Sequence, residues 1–215
     1  MSPGVGLECS DAGLRLNALL AEAGEEPLSF ALANRFADYL GLLLRWNARM
    51  NLTSVRDEEG MLRRHFVESI MCARTLPRGI ASLLDFGSGA GFPGIPIALC
   101  QPEIAVTLAE SQGKKAAFLQ EAVRVLELQA TVRAQRAETL SDHFDCVTLR
   151  AVDRMAQAVH SAGRLVALGG FLALMTTGAE LEDLQSAAGS AFSWAAPVSL
   201  AEGSGRVVAL GARLE

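Results

Sequence analysis

With 215 residues, half of them hydrophobic, the chain can bury a substantial core in one large domain or a domain with an appendage. A formal charge of −5 and a pI near 5.3 argue against a generic polyanion-coating protein, although local charge decides nucleic-acid contact more than the total does. Cys9, Cys72, Cys100 and Cys146 form no C-x-x-C pair and no metal-like group with the three histidines, and no run reaches membrane-span length. The N-terminus has no basic segment ahead of an apolar core, so a reduced, soluble, cytoplasmic monomer without a metal centre is expected.

Residues 1 to about 80 read as helical. Leu14, Leu19 and Leu20 recur at near-helical spacing before Gly24. Ser29 is placed to N-cap a longer helix with Leu32, Phe36, Leu40, Leu43 and Leu44 on one face. Trp46 is expected to anchor this segment against the sheet. Asn51-Leu52-Thr53-Ser54 breaks the pattern, and Asp57 can cap a third helix with Leu62, Phe66, Ile70 and Ala73 inward, ending before Pro77 and Gly79.

From Ser82 short apolar runs alternate with amphipathic segments, as in parallel βαβ units. Strands are predicted over 82–86, 104–109, 131–136, 145–150 and 169–176. Two later runs, around 191–200 and 206–213, read as a hairpin joined through Glu202-Gly203-Ser204-Gly205. The division is therefore a helical segment, 1–80, and an α/β domain, 81–215.

The stretch Leu83-Leu84-Asp85-Phe86-Gly87-Ser88-Gly89-Ala90-Gly91-Phe92-Pro93-Gly94 reads as strand, glycine turn and helix start. Glycines let a backbone pass close to a ligand where a Cβ would collide. A dinucleotide fingerprint from Gly87 would need glycine where Phe92 stands, so the spacing is G-x-G-x-G instead. It resembles the first motif of class I S-adenosylmethionine-dependent methyltransferases, a Rossmann-like fold of parallel strands with a terminal hairpin. In that setting Asp85, Gly87, Gly89 and Gly91 are cofactor-site residues, with Asp85 facing the ligand's cationic end. Glu110, ending the second strand, can take both ribose hydroxyls.

Further segments make the resemblance narrower. Asn51 to Asp57, Arg64-His65-Phe66-Val67-Glu68-Ser69, Asp85 to Pro96, Glu110-Ser111-Gln112-Gly113-Lys114-Lys115 with Phe118-Leu119, and Leu149-Arg150-Ala151 follow one another. Together they are similar to bacterial 16S rRNA guanine-N7 methyltransferases, the family also called glucose-inhibited division protein B. The resemblance implies methyl transfer from S-adenosylmethionine to a guanine N7 in the 530 loop of 16S rRNA, free or in the small subunit. It also implies that Gly87, Phe92, Ala137, Glu138 and Arg150 lie around the cofactor. Met175-Thr176-Thr177 departs from it, standing where similar sequences often carry lysine.

The chemistry so implied needs no base, because guanine N7 has a lone pair and no proton. Leu149-Arg150-Ala151-Val152 replaces the Asn/Asp-Pro-Pro-aromatic turn used on exocyclic amines, and Cys146 lies inside an apolar strand, where it reads as core. Arg150, at the active edge of the fourth strand, is the expected catalytic-site residue, holding a cofactor carboxylate or the guanine; it is no base, since arginine stays protonated. Residues 45–78 carry seven arginines against four acids, a local +3. Arg49, Arg56 and Arg63, with Lys114, Lys115 and Arg206, are the expected RNA contacts. Helix-surface pairing, such as Arg64 with Glu68, is the competing reading of these charges. His65 reads as a packing histidine. A methyltransferase of small molecules or proteins, and a non-catalytic rRNA-binding assembly factor, stay open as alternatives.

Overall fold

A computed structural model describes residues 8–200 and 204–214. The first helices are α1 (Asp11–Glu22) and α2 (Phe30–Asn47), capped by Ser10 and Ser29, whose side chains accept the Gly13 and Leu32 amides. Leu16, Leu19 and Leu20 form the buried stripe of α1, whereas Leu14 is half exposed, because it lies off that face. Asp57 caps one continuous helical run: α3 (Glu58–Met61), a π-helical stretch (Leu62–Val67) and α4 (Glu68–Thr75). Leu62, Phe66, Ile70 and Ala73 are buried along it.

The α/β part continues as β1 (Ser82–Phe86), α5 (Gly94–Cys100), β2 (Ala105–Ala109), α6 (Gly113–Val125) and β3 (Ala130–Arg133). After the 3₁₀ turn Ala137–Thr139 come β4 (Phe144–Arg150), α7 (Met155–Gly163), β5 (Val166–Thr177), α8 (Leu181–Ala188), β6 (Phe192–Trp194), β7 (Val198–Ser199) and β8 (Arg206–Arg213). The sheet order is β3-β2-β1-β4-β5-β8-β6, with β7 also on β8. The first five strands are parallel, and β8 runs antiparallel between β5 and the β6/β7 edge. The third strand stops at Arg133, three residues before its predicted end. The expected hairpin is β6 and β7 against β8; of its connection, Glu202 and Gly203 lie outside the described residues.

Alternate strand residues enter different cores. Leu83, Val106, Leu108 and Cys146 join a cluster shared with α1, α2, α4, α5 and α6. Leu84, Ala109, Val147 and Leu149 join one covered by α7 and α8. The helical segment thus packs into the same core as one sheet face. Trp46 meets Phe118 of α6 edge-on at 5.6 Å, so it anchors α2 to α6 and reaches the sheet only through that helix.

Candidate functional site

The carboxyl ends of β1, β2 and β4 open onto a cleft of about 570 Å³, lined by the glycine loop, Glu110, Ala137, Glu138 and Arg150, and from the helical segment by Leu52, Thr53, Arg64 and His65. Gly87, Gly89 and Gly91 have φ of +73°, +56° and +92°, a region that favours glycine. Glu110, nearly buried at the end of β2, holds the loop: Gly89 N–H donates to its Oε2 at 3.0 Å and Gln112 N–H to its Oε1 at 2.7 Å. A Cβ on Gly89 would meet nothing nearer than Gly87 O at 3.9 Å and would stand in open cleft space. A ligand can therefore touch the main chain there.

Two predicted contacts are corrected. Asp85 does not line the cleft; its carboxylate turns inward, accepting from Thr148 Oγ1 at 3.0 Å and from Gly94 N–H at 3.2 Å. It ties β1 to β4 and to the start of α5. Gly91 also faces inward, where a Cβ would stand 2.5 Å from Ile95 Cδ1 and 2.8 Å from the Tyr39 hydroxyl. That hydroxyl donates to Ala90 O at 2.5 Å, so α2 pins the loop from beneath. Gly91→Ala should combine overpacking with backbone strain and lower stability by about 2–4 kcal/mol in thermal melting.

Burial raises the Asp85 carboxyl to about 6 from its ordinary 3.8, against the opposing hydrogen bonds from Thr148 and Gly94. The folded protein then holds this proton more tightly than the unfolded chain, so its contribution is full below pH 4 and is lost as pH rises through 6. His65, lowered to about 3 by burial and by Arg150, Arg64 and Arg206, acts oppositely, losing stability as pH falls below 6.5. Subtraction separates them. Asp85→Asn can keep both contacts, with Oδ1 accepting from Gly94 and Nδ2 donating to Thr148 Oγ1, whose hydroxyl also reaches Leu84 O at 3.4 Å. The stability difference between variant and wild type should move in the variant's favour by about 2 kcal/mol between pH 4 and 7, read by urea unfolding.

Arg150 lines the cleft, but its donors are turned toward the helical segment. It donates to Glu68 Oε2 at 2.9 Å, Ser69 Oγ at 3.2 Å, His65 O at 3.5 Å and Arg64 O. The last two are main-chain carbonyls of the π-helical stretch, and His65 O also accepts the Glu68 N–H. Glu68, 1% exposed, also meets Arg206 through Oε1 at 2.5 Å. Burial raises the Glu68 carboxyl and lowers the Arg150 guanidinium, and their mutual attraction opposes both shifts. The Arg64–Glu68 pair of the competing reading is absent among the described residues, because Glu68 points inward to Arg150 and Arg206.

The expected RNA contacts separate into two groups. Arg63 is neutralised by Glu22 at 2.9 Å and Glu59 at 2.7 Å, in a network with Arg15, and Arg206 is committed to Glu68. Both therefore have acidic partners within the protein. Arg49, Arg56, Lys114 and Lys115 instead gather around a second cleft beside the first.

Sequence reasoning missed the cleft role of His65. Its ring stacks on Phe92 with centroids 4.9 Å apart, and its Nε2 lies 2.7 Å from Thr53 Oγ1. It also missed Ala151, a cleft residue at φ +49°, where a non-glycine backbone is strained. The Arg64-His65 and Asn51-Leu52-Thr53 motifs carried a signal for the first, and the Leu149-Arg150-Ala151 stretch one for the second, without its backbone conformation.

Comparison with known proteins places these features. The model of the GidB family, described as rRNA small subunit methyltransferase G, matches residues 32–202. A protein named ribosomal RNA small subunit methyltransferase G from Roseiflexus sp. is 47% identical over 129 residues, 57% of this chain and 55% of that protein. The chain thus spans little more than half of that relative's length. One of the same name from Stenotrophomonas maltophilia is 46% identical over 151 residues, 69% of this chain and 70% of its own. Among solved structures, the Thermus thermophilus 16S rRNA N2 methyltransferase RsmC, in complex with AdoMet and guanosine, superposes with a TM-score of 0.53 at 19% identity, covering 71% of this chain and 40% of that one. That likeness shows the class I methyltransferase fold.

Proposed function

Because the chain belongs to the rRNA small subunit methyltransferase G family, we propose that it transfers a methyl group from S-adenosylmethionine to N7 of a guanine in the 530 loop of 16S rRNA. The observation that carries the reading is the glycine loop clamped by Glu110 over an open cleft, in a member of that family. The residues fit the donor. Gly89 leaves its main chain accessible, and each Glu110 oxygen keeps a lone pair for a ribose hydroxyl beyond the amide it already accepts.

When bound, S-adenosylmethionine supplies an electrophilic methyl on a sulfonium centre. Guanine N7 offers an in-plane lone pair and releases no proton, so this chain need not supply a base. The groups present agree with that requirement: His65 is held neutral, with a pKa of about 3, and Arg150 stays protonated. What the residues contribute is alignment of purine and methyl. Gly87, Phe92, Ala137 and Glu138 would hold the rest of the donor, and the His65–Phe92 stack offers a flat wall for the purine. Arg150 acts as a positioning residue, fixing the main chain of Arg64 and His65 against the strand that carries it.

In this reading residues 1–80 form the helical segment and 81–215 the methyltransferase domain, and the helical part supplies one wall of the site. The enzyme works as a cytoplasmic monomer on rRNA, free or within the small subunit. No helix among the described residues is long and apolar enough to cross a membrane. The test is transfer from labelled S-adenosylmethionine to undermethylated 16S rRNA and small subunits, mapped by N7-methylguanine-selective cleavage. One cleavage in the 530 loop is expected. Label in metabolites or protein with none in RNA would make it a different methyltransferase, and rRNA binding without donor binding would make it an assembly factor.

A further inference from the structure

The second cleft, about 430 Å³, lies between the loop 47–56 and the start of α6. Arg49, Arg56, Lys114 and Lys115 line it, and no aspartate or glutamate does. Among the described residues none of the four forms an ion pair, although the whole chain carries −5. Arg56 donates to Asn51 Oδ1 at 2.9 Å, which steadies the guanidinium without neutralising it. The 13-residue helix α6 begins in the same wall and brings Lys114 and Lys115 to the cleft on its first turn, while its N-cap amide, that of Gln112, is taken by Glu110 on the side of the first cleft. Uncompensated like charges repel one another, and an anion that bridges them removes that cost.

The position is as informative as the charge. Leu52, Gln112 and Lys115 line both clefts, so the two share a wall. Arg63 and Arg15, a second basic pair in the helical segment, are by contrast already paired with Glu22 and Glu59.

We propose that the second cleft binds a backbone phosphate of the RNA strand next to the nucleotide whose base enters the first cleft, so that the protein selects a strand over a free purine. This rests on the first cleft taking a guanine of RNA. Phosphate contacts set register and bases set identity, and here the two tasks fall to two adjoining clefts.

The experiment uses the full chain and a fluorescein-labelled RNA hairpin carrying the target loop, read by fluorescence anisotropy. A neutral methylphosphonate linkage is moved one position at a time through the loop. In wild type one linkage beside the target guanine should weaken binding about tenfold, and other positions should have little effect. Arg49→Ala and Lys114→Ala, both at exposed side chains, should keep the wild-type melting temperature, bind the all-phosphate RNA about tenfold more weakly and lose sensitivity to that linkage. Equal binding at every linkage overturns the proposal and leaves a free anion as occupant. Variants as linkage-sensitive as wild type overturn it too. Linkage-specific binding without N7-methylguanine in the product would uphold the phosphate cleft while removing the proposed reaction.

Discussion

Glu68→Ala is expected to lower folding stability by about 3–5 kcal/mol, the usual cost of removing one partner from a buried ion pair. Glu68 is the acid that Arg150 and Arg206 share, and its side chain is 2% exposed against 11% for Arg150. Removing it leaves the Arg150 guanidinium out of water with main-chain carbonyls and a serine hydroxyl but no counter-charge. In a chain of this size the melting temperature should fall by about 10 °C. Glu68→Gln separates charge from packing: it keeps the shape and one acceptor, and should recover less than half of the loss. A fall below about 1 kcal/mol for alanine, measured by urea unfolding, would show that the arginines find water or other partners. Because the cluster joins the π-helical stretch to the ends of β4 and β8, Arg150→Ala should also lose stability. The sequence alone predicts that substitution to harm catalysis far more than folding.

Glu110→Ala should weaken S-adenosylmethionine binding by about 100-fold or more, from the loss of charge-assisted hydrogen bonds to two ribose hydroxyls at about 1.5–3 kcal/mol each. The same change frees the Gly89 and Gln112 amides, so the loop loses its preset shape as the ligand loses its partner. Glu110→Gln should rescue little, since its amide N–H would face one of those two main-chain donors. Calorimetric titration with the donor checks both variants. An unchanged dissociation constant for alanine would take Glu110 out of the ribose role and leave it as a loop clamp. Folding stability should change far less than for Glu68, because Glu110 pairs with no buried cation among the described residues.

The glycine loop was legible in sequence because its determinants are local. Positive φ at Gly87 and Gly89, the strand before them and Glu110 one strand later all follow from short-range pattern. The family motifs extended this to His65 and Arg150, though without the use each side chain makes of its position. Asp85 shows the limit. Its place in the motif pointed to the ligand, yet side chains alternate along a strand, and the inward partners Thr148 and Gly94 were not visible from its neighbours.

Charge was the least legible layer. Arg63 and Arg49 look alike in sequence, both basic and both in the +3 stretch. Packing of α1 against the Asp57-capped helix brings Glu22 to Arg63, while nothing acidic reaches Arg49 among the described residues. Glu68, Arg150 and Arg206 lie far apart in the chain and meet because β4 and β8 end beside the π-helical stretch. The sequence by itself determined the strand segments, the loop's backbone and the kind of ligand it suits, because periodicity and glycine placement act over a few residues. Only the tertiary structure decided which arginines stay free for an anion and which are consumed in the core, because a charge is set by the partners that distant segments bring within a few ångströms.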